Sequence, residues 1–127
     1  MVTVQSITLL GRSHAIALPD FAAREELMVA LGETQARAGS ARLRAYAAAL
    51  GLCTRLGRES GADYAGHRFD ALAYGGAVYS YLREQGATPA DVATAAVPLA
   101  AILAESTFPR QAEVDTAMGK SEAEGVS

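Results

Sequence analysis

The sequence comprises 127 residues, of which 50% are hydrophobic, and it carries a formal net charge of −3 at pH 7. This length and apolar content predict a single globular domain with its own core, and the acidic balance gives no overall attraction to nucleic acid or anionic lipid. We therefore expect no specific nucleic-acid partner and no membrane partner.

The N-terminal residues 1–19 are predicted to form a β-hairpin. Val2 to Leu10 alternates and is rich in β-branched residues, Gly11 to Ser13 interrupts the pattern, and His14 to Leu18 resumes it. Two such strands are too few to be stable alone in water, so they must pack on the helices or on another chain. Their free edge favours either a homo-oligomer formed by edge pairing or a monomer whose edge is short and solvated.

Two amphipathic helices are predicted after the hairpin. Asp20 can cap a helix from Phe21 to about Leu31, and Gly32 is expected to end it. Ser40 can cap the second helix. The inward stripe of this second helix is predicted from apolar residues at spacings of three and four: Leu43, Tyr46, Ala47, Leu50 and Cys53.

A glycine-rich stretch, Gly57 to Gly66, predicts a surface loop before the next helix. That helix is expected to start at Asp70 and to run through Leu82. Its predicted inward stripe is Tyr74, Val78, Tyr81 and Leu82. The pair Gly75-Gly76 inside it costs about 1 kcal/mol per glycine relative to alanine, so we expect a neighbouring helix to pack closely there.

The last long helix has a well-defined predicted start. Thr88-Pro89-Ala90-Asp91 combines a threonine cap, a proline at the first helical position and a carboxylate at the third, close to a capping box. Pro98 is expected to kink or divide this helix before Glu105. Ala112 to Met118 predicts one or two further helical turns, and residues 119–127 are expected to form a disordered tail.

These elements together predict a mainly α fold, in which four to five short helices form a compact bundle with an N-terminal β-hairpin. The predicted globular domain covers residues 1–118, with the helical part at 20–118. The longest apolar run, Val92 to Ala104, is interrupted by Thr94 and Pro98 and is shorter than the roughly 20 residues of a membrane span. It is therefore interpreted as a buried helix.

No catalytic or metal-binding pattern in the sequence is complete. Gly119-Lys120-Ser121 matches only the end of a phosphate-binding loop, because Val114 stands where that motif requires glycine. His14 and His67 have no adjacent ligand partners, and the single cysteine, Cys53, lies on an apolar stripe, which is typical of an inert buried thiol. We therefore expect no enzyme, no cofactor, no metal and no disulfide. The first residues show no secretory signal, which favours the cytoplasm.

Arginines and one tyrosine are the candidate partner-binding residues. A stretch without any acid between Glu33 and Glu59 contains the arginines Arg37, Arg42, Arg44, Arg55 and Arg58. It indicates either a solvated exterior balanced by acids elsewhere or a patch for nucleic acid or an acidic partner. Tyr79 is rotated away from the Tyr74 and Tyr81 stripe, so it is either an exposed ring or an aromatic anchor at a protein interface. The predicted set is Arg42, Arg44, Arg55, Arg58 and Tyr79.

Two segments resemble a known family. They are ARLRA at Ala41 to Ala45 with AALGLC at Ala48 to Cys53, and FDALAYGGAV at Phe69 to Val78 with Leu82 and Gly86. From Arg42 to Gly86 the chain resembles small tailed-phage proteins that act as tail assembly chaperones or belong to the tail-assembly region. The resemblance implies a non-enzymatic helper in the host bacterial cytoplasm. Such a helper binds the tape measure or tail tube protein and shields its apolar surface until polymerisation.

Two other functions are compatible with the same residues. The chain could be a structural component of the virion, such as a head–tail connector or a minor tail subunit, which would stay in the particle. It could also be a phage-encoded inhibitor or regulator of a host protein, which would be dispensable for tail formation.

Overall fold

The computed structural model describes residues 5–36 and 39–107, and within these ranges it contains two strands and five helices. The elements in chain order are β1 (Ser6–Leu9), β2 (Arg12–Ala15), α1 (Phe21–Thr34), α2 (Ser40–Cys53), α3 (Leu56–Ser60), α4 (Ala71–Glu84) and α5 (Pro89–Thr107). The predicted fold class, mainly α with an N-terminal β-hairpin, is confirmed. The segment Ala112 to Met118 and the tail 119–127 lie outside the described residues.

The hairpin is shorter than predicted, and its turn lies at Leu10-Gly11 instead of Gly11 to Ser13. Leu10 and Gly11 have φ values of +53° and +76°, which are typical of a two-residue type I′ turn. Because this turn uses only Leu10 and Gly11, Arg12 already belongs to the second strand and pairs with Leu9. The prediction of an interruption at Gly11 to Ser13 is therefore wrong, as is a strand reaching Leu18, which is exposed.

The hairpin packs on the helices through alternate residues. Ile7, Leu9 and His14 are buried, and β1 contacts α5. The backbone N–H of Ala17 also donates to the carbonyl oxygen of Cys53 at 2.7 Å, which ties the end of the hairpin to the end of α2. Of the two predicted alternatives, packing on the helices or on another chain, the structure shows packing on the helices.

Helix α2 is the central element, because it packs against α1, α3, α4 and α5. The predicted single inward stripe is incomplete: Ala45, Ala48, Ala49 and Gly51 are also buried, whereas Leu43 and Tyr46 are half-buried. Small side chains at these positions let neighbouring helices approach on several sides. The helix is therefore buried nearly all round over its second half.

Side-chain caps define the starts of three helices. The caps of α1 and α5 were predicted, whereas Asp70, which was expected to start α4, is its cap. Asp20 Oδ1 accepts a hydrogen bond from the backbone N–H of Ala23 at 2.9 Å at the start of α1. Asp70 Oδ1 accepts from the N–H groups of Leu72 and Ala73 at the start of α4. At the start of α5 the capping box is complete. The N–H of Thr88 donates to Asp91 Oδ2 at 2.9 Å, and the N–H of Asp91 donates to Thr88 Oγ1 at 3.1 Å.

Two predicted boundaries are wrong, and of the two outcomes expected at Pro98, division of the helix does not occur. Gly32 does not end α1, which continues to Thr34, whose hydroxyl donates back to the carbonyl oxygen of Ala30 at 2.8 Å. Ser40 is the first residue of α2 rather than its cap, and no side chain caps this helix start. Pro98 does not divide α5, which is continuous over 19 residues with Pro98 on its exposed side.

The prediction of a surface loop from Gly57 to Gly66 is wrong for Gly57 to Ser60, which belong to α3, the shortest helix of the described chain. Leu56 and Gly57 are buried, and a Cβ at Gly57 would collide with the backbone of Gly51 and with the hydroxyl of Tyr74. The glycine that suggested a loop is therefore required by close packing between α2, α3 and α4.

Helix α5 is the longest helix of the described chain, and by length and composition it is apolar enough to cross a membrane. Its buried residues include Val92, Ala96, Leu99 and Leu103. They lie in the core, where α5 packs against α1, α2 and β1. A core helix of a bundle has the same length and composition.

Candidate functional site

The five predicted partner-binding residues lie at three separate places. Arg42 is held within the fold: its guanidinium lies 4.6 Å from the centre of the Tyr46 ring, and its Nη1 donates to the carbonyl oxygen of Leu31 near the end of α1. A cation in this position stabilises the last turn of a helix. Arg42 is therefore a structural contact between α2 and α1.

Arg44 and Tyr79 share a shallow hollow between α2 and α4. Tyr79 is half-buried, and the guanidinium of Arg83 lies 5.9 Å from the centre of its ring. The hollow has a volume of about 390 Å³ and also includes Leu72 and Gly76. These two predicted residues are thus brought together, on a surface that is cationic and partly aromatic.

Arg55 and Arg58 lie elsewhere, beyond the end of α2. Both are exposed, and they line a different hollow together with Ala15 and Ala17 of the hairpin side. The five residues therefore do not form one positive face. The reason is geometric: α2 ends at Cys53, so Arg55 and Arg58 do not continue its helical register.

The histidines and the cysteine do not form a reactive site in the described chain. Cys53 is fully buried, and burial raises the pKa of its thiol to about 12. His14 is buried with Nδ1 lacking a hydrogen-bond partner, and burial, followed by the nearby Arg12, lowers its pKa. No group of three metal-ligating side chains occurs among residues 5–36 and 39–107. The predicted burial of Cys53 is confirmed.

An exposed aromatic groove is a surface feature that the sequence did not predict. Its centre is Phe69, whose side chain is 62% exposed. Arg68 and Phe69 have φ values of +57° and +58°, a conformation that costs about 1 to 2 kcal/mol per residue outside glycine. The chain is held there because the N–H of Phe69 donates to the carbonyl oxygen of Tyr64 at 3.0 Å, and the two rings meet edge to face at 5.4 Å.

Two hollows share Phe69 and Glu26 among their lining residues, and we call the two together the Phe69 groove. The first has a volume of about 440 Å³ and is mainly apolar, with Pro19, Ala22, Leu52 and Tyr64 among its walls. The second has a volume of about 380 Å³, and its apolar walls are Val29, Ala30 and Leu72. Both include Phe69 and Glu26. The groove therefore runs between α1 and the segment that leads into α4.

Carboxylates surround the Phe69 groove. Asp20 and Glu26 line the first hollow, and Glu26, Glu33 and Asp70 line the second, where Arg68 is the one basic residue among the lining side chains. The pKa of Tyr64 is raised, first by burial and then by the charges of Glu26, Asp20 and Asp70. The groove thus combines an apolar floor with a negative potential.

A hydrogen bond connects the two walls of the groove. Oε2 of Glu26 on α1 accepts a hydrogen bond from the backbone N–H of Ala71 at 3.1 Å, at the start of α4. Asp70 caps the same helix end. Hydrogen bonds therefore connect the start of α4 to α1 and to its own cap.

Comparisons of the chain with protein-family models, with curated proteins and with solved structures found no match.

One sequence signal pointed to the Phe69 groove. Phe69 stands in a polar stretch directly before the cap Asp70, and Phe21 stands directly after the cap Asp20. A large apolar residue before a cap commonly folds back on its helix. Here both rings are more than half exposed, at 62% and 51%. Of the two, only Phe69 lines the groove, so the phenylalanine directly before the cap Asp70 is the signal that could have indicated it.

Proposed function

We propose that this protein is a non-enzymatic binding protein that covers an apolar segment of a client protein. The observation that supports the proposal is the Phe69 groove, with a phenylalanine 62% exposed at its centre. Exposed, contiguous apolar surface rimmed by polar groups is typical of protein interaction sites. The fixed backbone around Phe69 favours binding, because little conformational freedom is lost there.

The client that fits the proposal is a tail protein of a tailed phage, either the tape measure protein or the tail tube subunit. The support is the resemblance of Arg42 to Gly86 to tail assembly chaperones, and Phe69 and Asp70 are part of that resembling segment. In this role the protein shields apolar surface of the client in the host cytoplasm until the tail polymerises. It is then released.

The proposal is tested by co-expression with tail tube and tape measure proteins of tailed phages. We expect a soluble complex that co-purifies, and a larger soluble fraction of the client than in its absence. A client whose solubility and elution do not change would contradict the proposal.

Mass spectrometry of purified particles separates the alternatives. Absence from the finished particle is expected for a chaperone, whereas a stoichiometric copy number would show a structural component. Recovery of a host protein instead of the tail client, with normal tails formed without this protein, would show a host regulator.

A further inference from the structure

We infer that the Phe69 groove binds a cationic amphipathic α-helix of the client, with apolar side chains entering the two hollows that Phe69 lines. The inference rests on the proposed function and specifies the chemistry of the segment that is covered. It is carried by the length of the groove, by the position of its two hollows and by its charge.

The length of the groove suits a helix. The α1 residues on its wall include Ala22, Glu26, Val29 and Glu33, at spacings of four, three and four. At 1.5 Å per residue this face extends about 16 Å, or roughly three helical turns. A helix bound in a groove uses anchors at positions i, i+3 or i+4, and i+7. Such anchors repeat along the same distance.

The two hollows supply separate sites for such anchors. Phe69 lines both hollows, so that one apolar side chain can enter beside Tyr64 and Leu52 and another beside Val29 and Leu72. Phe69 itself then lies against the helix between its anchors. Aromatic residues in this central position commonly contribute much of the binding energy at an interface.

The charge of the groove determines which charge a bound helix should carry. Asp20, Glu26, Glu33 and Asp70 outnumber the single base Arg68 among the lining residues. The raised pKa of Tyr64 is consistent with this negative potential. Lysine or arginine side chains flanking the anchors of a bound helix would face these carboxylates, whereas an acidic helix would be repelled.

The test uses the full chain and two labelled helical peptides of about 16 residues, roughly four turns. Both have leucines spaced by four, three and four residues, and they differ only in flanking lysines or flanking glutamates. Fluorescence anisotropy is expected to show at least about tenfold tighter binding of the lysine peptide near 0.1 M salt, and a smaller difference at 1 M, where screening is strong. Chemical-shift changes in the ¹⁵N-labelled protein should centre on Phe69.

Three variants locate the site. Phe69→Ser and, independently, Val29→Ser should each weaken binding of the lysine peptide by about tenfold while leaving the circular dichroism spectrum unchanged, since both side chains are largely exposed. Glu33→Lys should remove most of the preference for the lysine peptide. Glu25→Lys is the matched control, because Glu25 is exposed on α1 and does not line either hollow.

Several outcomes would overturn the inference. They are equal binding of the two peptides, unchanged binding by both serine variants, and self-association of the protein that Phe69→Ser abolishes, which would show a second copy as the occupant. The client assay separates this inference from the proposed function. A tail protein bound equally well by the wild type and Phe69→Ser contradicts the groove only. Peptide binding without any tail client contradicts the proposed function only.

Discussion

Gly75 lies where the backbone of α4 meets the backbone of α2. A Cβ at this position would collide with the carbonyl oxygen of Arg44, which cannot move without shifting α2. A Cβ at the adjacent Gly76 would instead make ordinary contact with the Arg44 side chain, at 3.8 Å from its Cδ atom. Of the two glycines that predicted a close helix neighbour, only Gly75 is required by it.

This difference predicts opposite signs for the two alanine substitutions. Gly75→Ala should lower the free energy of unfolding by about 1 to 3 kcal/mol, because the added methyl group overpacks the helix contact. Gly76→Ala should raise it by up to about 1 kcal/mol, because alanine is the better helix former and the space is free. Urea denaturation of both variants measures the change. A stabilising shift from Gly75→Ala would mean that the helices do not meet at Gly75, and a destabilising shift from Gly76→Ala would mean that position 76 is crowded as well.

His14 makes stability depend on pH. Its pKa in the folded protein is lowered by burial and then by Arg12, with Glu59 acting in the opposite direction and Arg55 adding to the lowering. The unfolded chain therefore binds a proton more readily than the folded one as the pH falls below the ordinary histidine value of about 6.5. The contribution of neutral His14 is fully present above that pH and is lost as the pH falls towards the lowered pKa.

We expect the free energy of unfolding to fall between pH 7.5 and pH 5 in the wild type, and the fall to be smaller in His14→Leu, which removes the titrating group. His67→Ala is the matched control, because it removes the other histidine and keeps His14. Chemical denaturation at several pH values provides the measurement. If the pH dependence of the free energy of unfolding disappears in His67→Ala and persists in His14→Leu, the effect belongs to His67 and the prediction is wrong.

The hairpin is the element with unpaired backbone groups. The turn at Leu10-Gly11 makes Leu9 and Arg12 a hydrogen-bonded pair, and pairs alternate along an antiparallel ladder. The N–H groups of Thr8 and Ser13 therefore point away from the partner strand. Such an edge is the route by which two copies, or a client strand, could pair with this protein.

Thr8→Pro tests this edge, because proline removes the outward N–H of β1 without touching the bonds to β2. We expect weaker self-association in light scattering, with the helical circular dichroism signal unchanged. Thr8→Ala is the control, since it keeps the N–H. A wild-type protein that is monomeric at every concentration would show instead that the edge is solvated.

The starts of α1, α4 and α5 were predictable, whereas most of the packing between elements was not. Asp20, Asp70 and the Thr88 capping box are visible in the sequence because a cap bonds to its own helix two or three residues ahead. Helix α3 was missed because the glycine at position 57 suggested a loop, whereas it is required by close contacts with Gly51 and Tyr74. Those contacts depend on distant parts of the chain, which local residue preferences do not describe.

At the scale of the molecule, the candidate site was not predicted for the same reason, because it depends on contacts between distant parts of the chain. The two walls of the Phe69 groove are far apart in the sequence, by about half the described residues. Glu26 accepts a hydrogen bond from the N–H of Ala71, which lies 45 positions later. The sequence instead favoured arginines that are close in sequence, and the fold distributes these over three places. Phe69 could be noticed beside its cap, but the groove around it exists only once α1 lies beside the start of α4.

A central helix that touches four others should make the helical part of the protein unfold as one unit. Leu50 is fully buried on α2 within the core cluster, whereas Val97 on α5 is 54% exposed. Leu50→Ala should therefore lower the free energy of unfolding by about 2 to 5 kcal/mol, through lost burial and the cavity that remains. Val97→Ala, a matched truncation to alanine, should change it by less than about 0.5 kcal/mol.

Far-ultraviolet and tyrosine near-ultraviolet circular dichroism, followed in the same urea titrations, provide the measurement. The two signals should give one midpoint in each variant, because Tyr46, Tyr74 and Tyr81 report on the packing of α2 and α4 while the far-ultraviolet signal reports on all the helices. Equal losses from Leu50→Ala and Val97→Ala would mean that α2 is not the centre of the core. Separate midpoints for the two signals would mean that the helices around α2 unfold independently, and the Phe69 groove, which needs α1 and α4 side by side, would then be lost before the protein as a whole unfolds.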